Sequence, residues 1–444
     1  MTQQQPYSVN LDQETARELT RQGAAVLVLD FPEGACFGID SRAFVTGPRF
    51  QGVKMIPPGA HFISTAASDA PAAAGGASFA PVTGELVWLE RGEVLVRRWD
   101  TGEECLAPLE SPEEAERYVA GVRNMSFDAG MAPYDLRSLR AWRSVTGAIT
   151  SDTVRRVRPV GGLVSITAES DMALDESAPA TPAERELVEH LRAARARTGT
   201  REGGAAAGGA FEHRSRVGRC FYVDVARLHK SRGLTAEELT RRNMDRSWEL
   251  DKLVEGEFRG EQGELLGELQ AAFACFVAGQ SLDGFRQWRA LLEMVLRCPS
   301  AAVGARSDLF EAILNTLHMQ LQGSFGASAD GGASSEGHLG GGSGLLASLG
   351  EAMERDSRGG GMFLRGALRA FFRGVEELGG GSPGLKAAST RLKAWLAGQM
   401  GWNLEGGEDR GGERGGAEES DEEDGPVVVE LTEEQMRELG LARD

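Results

Sequence analysis

The stretch Gly52-Val-Lys-Met-Ile-Pro-Pro-Gly-Ala-His-Phe-Ile-Ser-Thr-Ala66 decides how the first third of the chain folds. Gly52–Ile56 runs extended, Pro57-Pro58-Gly59 stops it, and His61–Ala66 runs extended again as a return strand. Pro58 followed by Gly59 suits a type II turn, because proline presets φ and glycine accepts φ > 0. Upstream, Ala24–Asp30 (AAVLVLD) is an apolar run of buried-strand character, ended by Phe31-Pro32-Glu33-Gly34. Downstream, Glu85–Glu90 and Glu93–Trp99 read as a hairpin about Arg91-Gly92. Asn10–Gly23 reads as a helix, with Asn10 as cap and Gly23 as stop. Ser111–Val122 opens on Ser-Pro-Glu-Glu, a cap, an N1 proline and first-turn acids in order. Pro133–Val145 carries Leu136, Leu139, Trp142 and Val145 at helical spacing. A β-rich N-terminal domain over residues 1–167 follows from these elements.

Residues 168–215 are rich in Ala, Gly, Glu and Arg and read as a partly disordered linker, with one helical stretch at Pro182–Arg197. The apolar period then becomes 3.6. Leu265, Leu269, Ala272, Phe273 and Phe276 share one face; Phe285, Trp288, Leu291, Leu292 and Val295 a second; Phe310, Ile313, Leu314, Leu317 and Leu321 a third. Met362–Leu378 and Leu385–Gln399 add two helices. Short connections between such stripes predict antiparallel neighbours, hence an all-α domain over residues 216–403. A Gly/Ser insertion at 323–344 is read as disordered. The fold class expected is therefore α+β in two domains, with a disordered acidic tail over 404–444 that ends in a short strand.

Charge and motifs exclude several kinds of chemistry. The chain has 444 residues and a formal net charge of −18, which opposes tight, direct nucleic-acid binding by phosphate neutralisation. Its five cysteines are scattered, with no CxxC and no histidine at ligand spacing, so neither a zinc module nor a disulfide framework is expected, and no metal or cofactor. The first ten residues lack an apolar core, and the longest apolar stretch, Ala271–Ala278, is too short for a bilayer; neither a secretory signal nor a membrane span is expected. The six histidines form no HExxH and no obvious triad, and no glycine run has the form of a phosphate loop. His61 reads as an ordinary strand residue and His318 as a partly buried, hydrogen-bonded imidazole. Asp30 and Asp40 read as turn-forming carboxylates rather than an acid–base pair.

The string Gly47-Pro48-Arg49-Phe50-Gln51-Gly52-Val53-Lys54-Met55-Ile56-Pro57-Pro58-Gly59-Ala60-His61-Phe62 resembles the N-terminal hallmark of the A1 cistron-splicing factor family. Leu29–Asp40, with Phe37, Gly38 and Asp40, is similar to the motif that precedes it. Arg91-Gly92, Arg98-Trp99, Pro133-Tyr134, Leu139 and Trp142 also match. In the helical half, Leu266-Gly267-Glu268-Leu269-Gln270, Phe273, Cys275-Phe276, Gly279, Phe285 and Trp288 follow the family pattern, and Pro426-Val427-Val428-Val429-Glu430-Leu431 resembles the tail of its members.

The resemblance implies a non-enzymatic pre-mRNA splicing factor of cytoplasm and nucleus. Its partner would be the large scaffold protein of the U5 snRNP, through RNase H-like and MPN-type domains. It would hold the immature U5 particle, on the way to the tri-snRNP, until the helicase that unwinds U4/U6 replaces it. Two other readings stand beside this one: a hydrolase with a β domain and a helical lid, and a helical interaction scaffold unrelated to splicing. In the tail, Val427, Val429 and Leu431 point one way and Val428 and Glu430 the other, a strand without a sheet of its own. A capping box at Thr432 and Gln435 predicts a short helix after it. Ser420, flanked by acids on both sides, is a candidate for phosphorylation by an acidophilic kinase.

Overall fold

A computed structural model of the chain describes residues 18–19, 21–67, 82–165, 218–225, 242, 244–325 and 363–404. All of them fall in one compact unit, Met1–Glu405. The linker helix at 182–197, most of the 323–344 insertion, the acidic tail, its strand and Ser420 lie outside the described residues. So does most of the expected 10–23 helix; residues 18–19 and 21–22 are helical, and the Gly23 N–H donates back to the Leu19 carbonyl (2.8 Å).

Among the described residues, ten strands form two five-stranded sheets. The strands are β1 (Ala24–Leu29), β2 (Cys36–Ile39), β3 (Arg42–Val45), β4 (Gly52–Ile56), β5 (Gly59–Ala66), β6 (Val82–Leu89), β7 (Val94–Asp100), β8 (Cys105–Ala107), β9 (Met131–Pro133) and β10 (Val164–Ser165). The first sheet runs β8-β7-β1-β4-β9 and the second β10-β6-β5-β2-β3. Every residue of β1 is buried. Ala24, Val26 and Val28 enter the core between the sheets, with Phe37, Val53, Ile63 and Leu89. Ala25, Leu27 and Leu29 pack outward against Tyr118, Val119 and Val122 of α1 (Pro112–Arg123). Cover on both faces explains why the AAVLVL run does not alternate. Ser111 caps α1 as its sequence predicts, accepting from the Glu114 N–H.

Both expected hairpins are corrected. β4 lies in the first sheet, antiparallel to β1 and parallel to β9, whereas β5 lies in the second, between β6 and β2. The two prolines lack the N–H groups that a ladder needs, so the chain turns a corner between sheets there. Gly59 has φ +135 and is already the first residue of β5, not the second corner of a type II turn. Likewise β6 pairs with β5 along its whole length, while β7 pairs in parallel with β1. Alternation reports extended backbone and leaves the partner open. Arg97 of β7 and Glu85 of β6 instead clasp the sheets through two hydrogen bonds of 2.8 and 2.9 Å, both side chains buried. Pro133 ends β9 instead of starting a helix; α2 (Leu136–Thr146) begins after Asp135, whose side chain caps it.

The helical half contains α4 (Ser247–Gly256), α5 (Gln262–Gly279), α6 (Leu282–Val295), α7 (Pro299–Val303), α8 (Ser307–Phe325), α9 (Phe363–Glu377) and α10 (Pro383–Met400). The three apolar stripes lie on α5, α6 and α8 and meet in one core with Trp288, Phe310, Phe371 and Phe372. Helix α8 continues through Gly323 to Phe325, past the expected start of the insertion. Helix α5 is central. Leu265, Leu269 and Phe273 face the helical core, while Ala271, Ala274 and Cys275 join a cluster with Phe62 and Leu86 of the second sheet. The Phe62 ring fills the space where side chains at Gly84 of β6 and Gly279 of α5 would lie. Trp142 and α3 (Ser151–Val157) complete this shared cluster.

Candidate functional site

The buried polar residues of the family motifs fall into two clusters, one inside the sandwich and one where the sandwich meets α5. In the first, Asp40 sits at the end of β2 with φ +57, and Asp30 ends β1 with φ +56. Both aspartates take the left-handed backbone of turn residues, as their sequence positions predict. Asp30 is exposed and lies 3.3 Å from Arg98. Asp40 is buried and its carboxylate accepts three hydrogen bonds: His61 Nδ1 (2.8 Å), Tyr134 Oη (2.6 Å) and the Phe62 N–H (3.0 Å). The other ring nitrogen of His61 lies 2.6 Å from the Pro57 carbonyl. Burial lowers the His61 pKa, and the Asp40 charge and hydrogen bond outweigh it, so the net shift is upward. Burial, then Asp40, pushes the Tyr134 hydroxyl up as well. His61 is therefore more than a plain strand residue. Its geometry is nonetheless that of a structural clasp, because Nε2 is committed to a carbonyl and the ring has no open acceptor for a nucleophile's proton.

The rest of the hallmark builds around that clasp. Phe50 packs with Phe31, Phe37 and Phe44 at ring separations of 5.0–5.9 Å. Gly52 has φ +125, and a Cβ there would fall on the Val26 carbonyl oxygen, so only glycine fits. Val53 is in the sandwich core. Lys54 pairs with Asp128. The Pro58 carbonyl accepts from Arg143 (3.4 Å). Gly38 lies within β2, and Gly47 and Pro48 stand in an exposed loop.

The second cluster contains Gly267-Glu268-Leu269-Gln270. A Cβ on Gly267 would come 2.6 Å from Thr153 Oγ1 and 2.9 Å from the Ala148 carbonyl, which fixes how closely α5 approaches α3. Glu268 is fully buried and pairs with Arg156 of α3; it also accepts from the Val223 N–H (2.9 Å) and Gln287 Nε2 (2.8 Å). Burial pushes its carboxyl up, and Arg156 with the two hydrogen bonds pulls it back only in part. Gln270 accepts from the Ala148 N–H (2.7 Å) and donates to Thr316 of α8 (3.1 Å). Thr150 and Thr153 form a capping box at the start of α3, and their hydroxyls donate to Glu264 at 2.5 and 2.8 Å. Trp288 is fully buried and donates to Gln320 Oε1 (3.0 Å).

Sequence reasoning missed α3 and its Thr153 and Arg156; the Thr150-x-x-Thr153 spacing was the available signal. It also missed the segment 218–225, which supplies Val223. His318 differs from its expected role: its ring packs on Trp395 (5.5 Å) and its buried Nε2 has no hydrogen-bond partner. The tail residues Pro426–Leu431 and Ser420 lie outside the described residues.

Residues 22–159 match the AAR2 N-terminal domain and residues 222–405 the AAR2 C-terminal repeat region. The chain is 30% identical over 320 residues to the "Protein AAR2 homolog" of Caenorhabditis elegans, covering 70% of this chain and 82% of that protein. It is 31% identical over 330 residues to the protein of that name from Mus musculus, covering 71% and 79%. For the Homo sapiens protein the identity is 30% over 316 residues, again covering 71% and 79%.

Proposed function

The chain belongs to the AAR2 family, the A1 cistron-splicing factors, and from that premise we propose that it is a U5 snRNP assembly factor that binds the large U5 scaffold protein and keeps the helicase from joining early. The observation that carries this reading is the match in both halves, which supports a splicing-related assembly role. The geometry supports a binding body rather than a hydrolase: the buried polar motif residues Asp40, His61, Glu268 and Gln270 are spent on internal clasps. His61, the one histidine paired with a carboxylate among the described residues, has no open nitrogen.

The tail strand Pro426–Leu431 is the proposed bridge to the scaffold, by addition to the edge of one of its sheets. Ordering the five residues Val427–Leu431 costs about 5–10 kcal/mol of backbone entropy. Ladder hydrogen bonds return about 1 kcal/mol each, and each buried Val or Leu about 1.5–3 kcal/mol. The strand alone therefore binds weakly, and tethering to the docked body raises its effective concentration. Phosphorylation of Ser420 would add roughly −1.5 to −2 charge beside it and tune that docking.

Affinity purification of the tagged chain followed by mass spectrometry tests the function, with U5 snRNP proteins expected as the leading partners and an unrelated set overturning it. Deleting 426–444, or Val429→Pro, is expected to weaken scaffold binding while the melting temperature stays unchanged. Equal affinity of truncated and full chains would remove the bridging strand from the proposal.

A further inference from the structure

The ladder between β1 and β4 is irregular. Ala24 faces Ile56 and Val26 faces Val53, so Lys54 and Met55 together stand opposite Ala25. Met55 takes φ +62, a left-handed conformation unusual for a methionine. A bulge of this kind bends its strand and re-aims the side chains on it. Here it opens a cleft of about 320 Å³ between the end of the first sheet and the last turn of α1. Met55, Met125 and Met131 line it, as do Arg21, Lys54 and Arg123.

The charges in this cleft do not balance. Lys54 is ion-paired with Asp128 and donates to the Asp128 carbonyl (3.2 Å). The side chains of Arg21 and Arg123 form no ion pair or hydrogen bond among the described residues. Two guanidinium charges are left over, in a chain whose formal net charge is −18. Nearby like charges repel, and a bound anion relieves that repulsion. Guanidinium forks match phosphate oxygens in bidentate geometry. Methionine side chains are unbranched and polarisable, and so adapt to apolar groups of varied shape.

We propose that the cleft binds a phosphate monoester, with Arg21 and Arg123 clamping the dianion and the methionine walls receiving the group that carries it. The two uncompensated cations match a dianion, whereas a carboxylate would neutralise only one of them. Lys54, held by Asp128, also lines the site. Inorganic phosphate, a nucleoside monophosphate and a phosphoserine side chain share this head group.

The test is methyl NMR on the full chain labelled at methionine, titrated at constant ionic strength with sodium phosphate, adenosine monophosphate and a phosphoserine peptide. The Met55, Met125 and Met131 methyl signals are expected to shift saturably with at least one probe at concentrations up to about 10 mM. Affinity is expected to fall about tenfold or more in Arg21→Gln/Arg123→Gln, with the other methionine signals unchanged. The tightest probe then identifies the source of the phosphate. Arg123→Gln alone, at an exposed position, is expected to weaken binding in the same direction and serves as the test should the double variant misfold. The proposal is overturned when none of the probes moves these three methyls, or when the variants bind as tightly as the parent chain.

Discussion

His61 donates from both ring nitrogens, to Asp40 and to the Pro57 carbonyl, and two acceptors require the imidazolium. Its pKa is raised above the ordinary value of about 6.5. The stabilisation this brings is therefore complete below about pH 6.5 and is lost as pH rises through the folded pKa. Denaturant unfolding across pH 6–9 is expected to show a gap between the parent chain and His61→Gln that narrows as pH rises; a constant gap would mean that the ring is neutral. Asp40→Asn leaves the buried imidazolium unpaired and should cost about 3–5 kcal/mol at pH 6, read from the shift in denaturation midpoint. The sequence placed Asp40 at a strand end and His61 in the next extended run but could not join them, because the second sheet brings β2 beside β5 across two intervening strands, β3 and β4, and a corner.

Arg156 and Glu268 link α3 to α5, and the Thr150–Thr153 box delivers a second set of hydrogen bonds to Glu264 on the same helix. Glu268→Ala leaves two buried donors, the Val223 N–H and Gln287 Nε2, without their acceptor and Arg156 with only the weaker Glu264 pair at 3.7 Å, with an expected loss of about 2–4 kcal/mol. A double-mutant cycle with Arg156→Ala should return a coupling of about 1–3 kcal/mol, and additive losses would show that the pair does not act as a unit. The long helices α5, α6, α8, α9 and α10 were legible because each carries two or more turns of apolar stripe. Helices α3 and α7, of seven and five residues, are too short to display a period. Strand existence was legible for the same reason as the long helices, whereas sheet membership was not. Gly52, Gly267 and the Pro57-Pro58 corner show why: each is fixed by a neighbour distant in sequence.

At the scale of the molecule, the outer face of the second sheet and the inner face of α5 are one core. Ala60, Phe62 and Leu86 meet Ala271, Ala274 and Cys275 there, with Trp142, Val154 and Val157 between. Residues 1–167 produced alone keep Trp142, Val154 and Val157 on that sheet face but would leave the part that α5 covers in water. They are expected to bind a hydrophobic dye and self-associate, and to lose both properties on mixing with residues 216–444. A monomeric, dye-silent fragment would show that the face is satisfied without α5. The separate composition of the two halves was visible in the sequence; that α5 serves both cores was not, since its large apolar residues Leu265, Leu269 and Phe273 mark a single face, whereas the second face is built from the small residues Ala271, Ala274 and Cys275.

The seating of Phe62 between Gly84 and Gly279 also sets an order in time. On the ribosome, the strands that flank Phe62 emerge early, ending at Leu89, and the helix that covers it begins only at Gln262, roughly 170 residues later, on the order of 10–30 s of synthesis at about 5–20 residues per second. For that interval the nascent sandwich carries a bare aromatic patch, and a holdase acting on the growing chain has its natural target there, until α5 arrives and withdraws it.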